Sequence, residues 1–274
     1  MPNNITQTEA DVFLPEVWSK EIIKATNPRF VLANLAWRFD KDAKLGDTIH
    51  VPSLTNLVAL DKVANLEVSF QSPTETNVNI TIDQHPYVAF NVEDFAQLFA
   101  NRDLRNLYTE RASLAIADAI DGDLAGLAAT FSQVFGTYNT AITTDIVLNS
   151  IEQLDLNDVP ETERYFVFRA DVKRDLLDLA AYTSSDFVNG RPVETGSIGK
   201  LFGVDTFMSN NLVITSGTNR DNMLFHKQAI CLAMAQAPRV QTDYLIKDLG
   251  TAVVVDTVYG FREMRDAFGV LVRT

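Results

Sequence analysis

Residues 156–177 read LNDVPETERYFVFRADVKRDLL, and residues 196–212 read GSIGKLFGVDTFMSNNL. The first stretch opens with a turn rich in Asn, Asp and Pro and continues into an apolar run over 164–168 that is typical of a short buried strand. Apolar residues then recur at helical spacing over 171–179. The second stretch leads through spaced glycines into another apolar run, 204–208. The order strand, helix, strand predicts one compact βαβ-like module.

The longest element that the sequence predicts is an amphipathic helix over 103–131. No Pro occurs between 87 and 159, so nothing breaks a long helix there. Its apolar residues step by three or four along one face: Leu104, Tyr108, Ala112, Ile116, Ile120, Leu124, Leu127 and Phe131. At about 1.5 Å per residue such a helix extends about 43 Å, which is enough to span a small domain.

Before this helix, residues 66–71 and 78–82 alternate apolar and polar side chains. Ser72, Pro73 and Thr74 lie between the two segments as a turn, so the pattern predicts an antiparallel hairpin. A two-stranded hairpin is marginally stable in water, and its apolar face must therefore lie on something. The alternation leaves open whether that is the sheet of its own domain or a second chain.

The charges of this region have one sign. No Lys or Arg occurs from 63 to 101, whereas Glu67 and Glu75 fall there. The segment before it is rich in Lys and Arg, and the predicted helix opens with Arg102 and Arg105. Such a pattern favours docking between chains, because complementary potentials steer association and fix its register. Ordinary solvated surface charges are the alternative explanation.

Composition excludes several classes of protein. With 274 residues, 46% hydrophobic and 22% charged, the chain has the composition of a folded globular protein with more than one packing unit. The net charge of −13 and the pI near 4.6 argue against a reader of duplex nucleic acid, which clusters Lys and Arg against phosphates. No apolar run approaches the roughly 20 residues of a membrane-spanning helix, and the N-terminus has no secretory signal. We expect a soluble protein made in a cytoplasm.

Cysteine and histidine do not form a reactive set in the sequence. Cys231 is the one cysteine and lies in an apolar run, so a buried, inert thiol is expected. The histidines His50, His85 and His226 are scattered. Neither a nucleophile with an oriented base nor zinc-ligand spacing is present. We therefore expect no catalytic residues and no metal site.

Two further patterns suggest a ligand but fail on their spacing. Asp118, Asp121 and Asp123 lack the terminal Glu of a calcium loop, and we expect them on a solvated helix face. The glycines over 196–203 lack the spacing of a phosphate-binding loop and precede a strand rather than a helix. No cofactor is expected either.

Three groups of short motifs follow one another along the chain. In order, they are FLPEVW at 13–18 with LGDTIHVP at 45–52, then VP-x-x-x-R at 159–164 with G-x-I-G-x-x-x-G-V at 196–204 ending in Ser-Asn, then LFHKQAI at 224–230 with Tyr-Gly at 259–260. In this order the chain resembles the major capsid proteins of tailed double-stranded-DNA bacteriophages. The resemblance covers nearly the whole chain.

The resemblance implies an α+β protein with the tailed-phage major capsid fold, also called Hong-Kong-ninety-seven-like. It implies the following division: an N-terminal arm at 1–45, an extended loop formed by a β-hairpin at 46–90, a peripheral domain with a long spine helix at 91–140, an axial domain at 141–236, and closing strands of the peripheral domain at 237–274. The helix over 103–131 is then the spine helix. The hairpin is then expected to reach over a neighbouring subunit.

The function that the resemblance implies is structural. Copies of the protein would self-assemble through hexamers and pentamers into an icosahedral shell, which encloses double-stranded DNA without sequence-specific binding and without a membrane. The protein would reside in the virion after assembly in the host cytoplasm. Because the arm begins almost at once, we expect either a separate scaffolding protein or a precursor from which a leading segment has been removed, and Met1 favours the former. A portal is expected as a further partner. The alternatives are an encapsulin-like nanocompartment shell and a small cytoplasmic α/β enzyme built around 141–236.

The candidate residues of the subunit interface lie in the arm, the loop and the start of the helix: Trp18, Trp37, Lys62, Glu67, Phe70, Glu75, Val78, Ile80, Arg102 and Arg105. The two tryptophans suit either an interface or the subunit's own core. Some members of the family link a loop Lys covalently to an Asn of the closing strands. Lys62 is suitably placed, but the last Asn is Asn222, so we expect a shell held without covalent links.

Overall fold

The computed structural model of the protein describes residues 30–44, 46–54, 57–62, 64–65, 67–72, 75–94, 104–178, 199–217 and 219–274. Within these ranges, no helix is both long enough and apolar enough to cross a bilayer.

The described part of the chain contains four α-helices and thirteen strands. The helices are α1 (Leu32–Leu35), α2 (Leu104–Gly126), α3 (Thr144–Leu156) and α4 (Ala170–Asp178). The strands are β1 (Trp37–Arg38), β2 (Thr48–Leu54), β3 (Glu75–Thr81), β4 (Tyr87–Glu93), β5 (Val134–Gly136), β6 (Arg164–Phe168), β7 (Lys200–Leu201), β8 (Val204–Met208), β9 (Ile214–Ser216), β10 (Asn219–His226), β11 (Ile230–Leu245), β12 (Gly250–Glu263) and β13 (Gly269–Arg273). Single 3-10 turns at Asp42–Lys44, Leu127–Thr130 and Asp266–Phe268 complete the set.

The predicted βαβ module is confirmed. β6 and β8 pair in parallel, with Phe166 opposite Thr206, and α4 lies between them in the chain. The two-residue turn from β7 to β8 places Phe202 and Gly203 at positive φ, 47° and 87°. A turn of this kind requires positive φ at both positions, which explains the glycine before Val204.

Arg164 explains the spacing of the VP-x-x-x-R motif. Its side chain is 3% exposed and pairs with Asp155 at 2.7 Å. Its Nε donates to the carbonyl oxygen of Pro160 at 2.8 Å, and Nη2 donates to that of Val159. These acceptors lie at the end of α3 and in the turn after it. One buried cation therefore holds the turn from which β6 begins.

Two main sheets form the body. β5, β13, β10, β6, β8 and β7 follow one another in a seven-stranded sheet, with β9 beside β10, and β1, β11, β12 and β4 form a four-stranded sheet. β5 and β13 thus lie in the same sheet as the module, although the expected domain boundaries at 140 and 237 assign them to the peripheral domain. β11 belongs to the other sheet from Ile230 onward. The difference arises because strand pairing is long-range, and no local pattern marks where a chain crosses back to an earlier sheet.

α2 confirms the predicted spine helix. It has 23 residues, about 35 Å at 1.5 Å per residue, and the 3-10 turn extends it to Thr130. The predicted apolar face is buried at Ala112, Ile116, Ile120 and Leu124. This face packs with both sheets in the main core. A second core lies between the other face of the seven-stranded sheet and the helices α3 and α4.

The predicted hairpin exists, but its first strand is not the predicted one. β3 pairs antiparallel with β2, with Val78 opposite Val51 and Ile80 opposite Ile49, whereas residues 67–72 form no strand. The alternation over 66–71 was therefore a misleading signal. A long segment, 55–74, connects the two strands, and alternation alone does not distinguish an adjacent partner from a distant one.

Candidate subunit-interface surfaces

The base of the hairpin packs on its own subunit. The hairpin's inner face carries Ile49, Val51 and Ile80, which form a small core with Cys231 and Ala233 of β11. Ile80 is 0% exposed. For this residue the structure favours the subunit's own sheet, which the sequence had left open.

Backbone hydrogen bonds fix the root of the hairpin. The N–H of Ile82 donates to the carbonyl oxygen of Asp47 at 2.8 Å, and Gln84 and Tyr259 exchange two bonds at 3.0 and 3.1 Å. Gly260 follows Tyr259, and a Cβ at Gly260 would lie 2.2 Å from the carbonyl oxygen of Thr81. The Tyr-Gly motif is thus the place where the returning strand crosses β12 without room for a side chain.

An ion pair between a buried carboxylate and an exposed arginine fixes the segment between the hairpin and β4. Asp256 on β12 is 4% exposed, and its carboxylate accepts two bonds from Arg239 at 2.9 and 3.0 Å. His85 Nε2 lies 3.0 Å from the same carboxylate. The Arg239 guanidinium, with a bond from His85, lowers the pKa of Asp256 below its usual value. The carboxylate therefore stays ionised and ties residue 85 to the sheet.

The far end of the extended loop exposes apolar side chains. Those with the largest exposed fractions are Leu57 at 66%, Val58 at 66%, Leu60 at 59%, Val68 at 54% and Phe70 at 94%. The two halves of this segment meet where Val58 N–H donates to Gln71 Oε1 at 3.0 Å. We call residues 57–62 with 67–72 the loop tip. Several exposed apolar side chains in one segment are typical of an interaction site.

The predicted interface residues differ in what the structure assigns to them. Exposed side chains belong to Lys62, Glu67, Phe70 and Glu75, half-buried ones to Trp37, Val78 and Arg105, and Ile80 is buried. Trp37 packs on Phe39 with ring centroids 4.6 Å apart, as part of the subunit's own small core. Trp18 and Arg102 lie outside the described residues.

A second exposed apolar surface was missed. Ile246 and Leu249 are 79% and 64% exposed in the turn that joins β11 to β12. Beside this turn, Tyr244 donates its hydroxyl to Asp94 at 2.7 Å. The sequence does show two apolar residues on either side of Lys-Asp in this turn. Single exposed hydrophobic residues are common on protein surfaces, however, so this pattern alone does not predict an interaction site.

Burial changes the pKa of two side chains, one cysteine and one histidine. Cys231 is buried, and its burial raises the pKa of its thiol to about 12. Burial also lowers the pKa of His226. Among the described residues, no three His, Cys, Asp or Glu side chains come together in a way that could hold a metal ion.

The acidic residues of α2 differ from the expectation of a solvated face. Asp121 is fully buried, and its carboxylate accepts bonds from the backbone of 31–33. Asp123 accepts the hydroxyl of Tyr259 at 2.6 Å, and of the three aspartates at 118, 121 and 123 only Asp118 is exposed. The donors lie far away in sequence, so the spacing of the acids gave no sign of them.

Comparison with known proteins connects this fold to a family. The family model described as phage capsid protein matches residues 39–261. No curated protein matches the chain. A solved structure from Mycobacterium phage Che8 is similar with a TM-score of 0.78 at 23% identity, over 89% of this chain and 90% of that one.

Two further structures share the fold at lower identity. The capsid of cyanophage P-SCSP1u has a TM-score of 0.73 at 17% identity, over 87% of this chain and 86% of that one. The virus-like particle from Pyrococcus furiosus has a TM-score of 0.62 at 10% identity, over 95% and 99%. The fold alone is thus common to phage capsids and to that particle.

The family match extends from the end of the predicted arm into the closing strands. It includes the extended loop, the spine helix and both sheets except for β1, β13 and the last two residues of β12. The α+β architecture with the capsid fold agrees with it. The family match supports the predicted capsid protein rather than the alternative of a small enzyme around 141–236. The chain belongs to the phage capsid protein family and is a structural subunit, present in many copies, of the shell of a phage virion.

Proposed function

We propose that this subunit joins its neighbours in hexamers and pentamers through its extended loop, and that the loop tip is the contact. The observation that carries the proposal is the exposure of Phe70, 94%, at the end of a hairpin whose root is fixed to its own sheet. A rigid root places the loop tip at a defined distance, which lowers the entropy lost on docking. Glu67 and Glu75 add negative charge beside the apolar side chains, which suits a basic partner surface.

The experiment compares two substitutions in the same loop. Phe70→Ser removes an exposed side chain, so the subunit should melt as the wild type does. Assembly should weaken, because fully burying a Phe contributes roughly 1.5 to 3 kcal/mol per contact. Sedimentation velocity of the assembling protein and a thermal melt of the subunit measure the two effects.

Ile80→Ser is the matched control. Ile80 is buried in the subunit's own core, so its replacement should lower the stability of the subunit itself by roughly 2 to 5 kcal/mol. If Phe70→Ser assembles into shells as readily as the wild type, the loop tip is not the contact.

We also propose that the shell encloses double-stranded DNA without sequence-specific contacts and performs no catalysis. The net charge of −13 supports this, since an acidic wall does not bind phosphates by neutralising them. A separate scaffolding protein and a portal are the further partners, and assembly takes place in the host cytoplasm. Nuclease-protected DNA in purified particles supports a phage shell, whereas particles that retain enzymes instead support a nanocompartment.

A further inference from the structure

Asp121 occupies an unusual place for a carboxylate. It lies five residues before the C-terminal end of α2 and is 0% exposed. Its Oδ2 accepts the backbone N–H groups of Val31 at 2.8 Å and Leu32 at 3.3 Å, and its Oδ1 accepts that of Ala33 at 3.2 Å. One side chain of the spine helix thus satisfies three consecutive backbone donors from a segment about ninety residues earlier in the chain.

A buried carboxylate is costly unless hydrogen bonds compensate for its lost hydration. Here they come from the first N–H groups of α1, which have no partner within a helix. Burial raises the pKa of Asp121, while the three backbone bonds act in the opposite direction. The two needs are therefore met together: α1 requires an acceptor, and Asp121 requires donors.

Apolar contacts accompany these bonds. Leu32, Ala33 and Leu35 are buried in the main core with the inner face of α2. The neighbouring acids of α2 bind other elements: Asn211 Nδ2, just after β8, donates to Asp118 at 3.3 Å, and Tyr259 of β12 donates to Asp123. The segment 118–123 therefore connects the start of α1, the seven-stranded sheet and the four-stranded sheet.

We propose that Asp121 is a positioning residue for the N-terminal arm. It fixes residues 31–33 against the spine helix and so fixes the point at which the preceding residues join the body of the subunit, which limits the surfaces of another copy that the arm can contact. The anchoring follows from the subunit alone, whereas its consequence for assembly rests on the proposed function. A fixed origin matters because a chain that starts from one point samples fewer directions and loses less entropy on docking.

Limited trypsin digestion of the full-length subunit tests the anchor. Cleavage after Arg29 requires residues 30–33 to leave α2, whereas Lys247 in the exposed β11–β12 turn is cleaved without it. In Asp121→Asn an NH2 group replaces one of the two carboxylate oxygens, and this group cannot accept a hydrogen bond from the backbone N–H groups of 31–33. We expect cleavage after Arg29 to become at least about tenfold faster, which corresponds to about 1.4 kcal/mol. The rate at Lys247 should stay unchanged.

Two further variants make the result specific. Asp118→Asn, on the same helix but exposed, should leave both rates unchanged. Ala33→Pro removes one donor in the first turn of α1, where Pro is tolerated, and should also accelerate cleavage after Arg29. This second variant leaves Asp121 intact, so it tests the anchor even if Asp121→Asn does not fold.

Equal rates after Arg29 in Ala33→Pro, Asp121→Asn and the wild type would overturn the proposal. So would a parallel increase at Lys247, since that indicates loss of the whole fold. Shells of Asp121→Asn should be few or irregular in electron micrographs; regular shells with a released arm would overturn the link to assembly. If the wild type forms no shells, the proposed function fails while the digestion still decides the anchor.

Discussion

Gly260 shows how a single residue determines the path of the extended loop. The carbonyl oxygen of Thr81 lies so close to Gly260 that a Cβ on this residue would be only 2.2 Å from it. Because the opposing atoms belong to the backbone, no rotamer change relieves the overlap. Gly260 therefore constrains the backbone at the root of the extended loop and not at the loop tip.

Gly260→Ala should destabilise the subunit by roughly 1 to 3 kcal/mol, the usual cost of overpacking. Gly126→Ala is the matched control, because a Cβ there meets nothing within 4 Å and its φ is not positive. That change should instead stabilise by roughly 0.5 to 1 kcal/mol, since it removes a glycine from a helix. Urea denaturation of both variants measures the difference, and equal stabilities would contradict the account.

Residue-scale predictions from the sequence succeeded where the cause was local. The apolar run around Cys231 correctly predicted a buried thiol. Asp121 was predicted to be solvated and is fully buried, because its three donors come from 31–33 and no spacing on α2 indicates them. Long-range polar partners of this kind are found only when the fold is known.

At the scale of elements, the link between β3 and β4 depends on a charge. Asp256→Asn should weaken this link, because hydrogen bonds to a charged group contribute roughly 1.5 to 3 kcal/mol. The folded pKa of Asp256 is lowered, so its contribution to stability is complete above the ordinary Asp value of 3.8 and is lost as the pH falls through the lower, folded pKa.

Chemical denaturation of wild type and Asp256→Asn at several pH values checks this sign. The difference in free energy of unfolding should shrink as the pH falls below about 4, because the carboxylate then takes up a proton. A difference that stays the same or grows below about pH 4 would mean that Arg239 and His85 do not stabilise the ionised form.

Elements with a strong period were predictable, and pairing was not. The spine helix and the βαβ module follow from helical spacing and from short apolar runs, and both are confirmed. The hairpin was assigned a first strand at 66–71 because those residues alternate, yet β2 is the partner of β3. Pro52 and the polar residues of β2 weaken its signal, and the loop between the strands is long.

At the scale of the whole molecule, the subunit has no accessible acceptor for a covalent link in its closing strands. Asn222 is 0% exposed, and its amide donates to the Val272 carbonyl oxygen and to Thr274, each at 3.1 Å. Lys62 is exposed, but residues 223–274 contain no Asn with which it could form a bond. Shells boiled in SDS should therefore release one band near 30.5 kDa. A ladder of covalent oligomers would show that another acceptor exists.

The central claim is that this chain is a shell subunit whose extended loop reaches its neighbour. A reconstruction of assembled particles by electron cryomicroscopy tests it most directly. We predict a closed icosahedral shell of hexamers and pentamers in which Phe70 of each copy is buried against the next subunit. Small discrete particles, or shells in which residues 57–72 remain in solvent, would contradict the account.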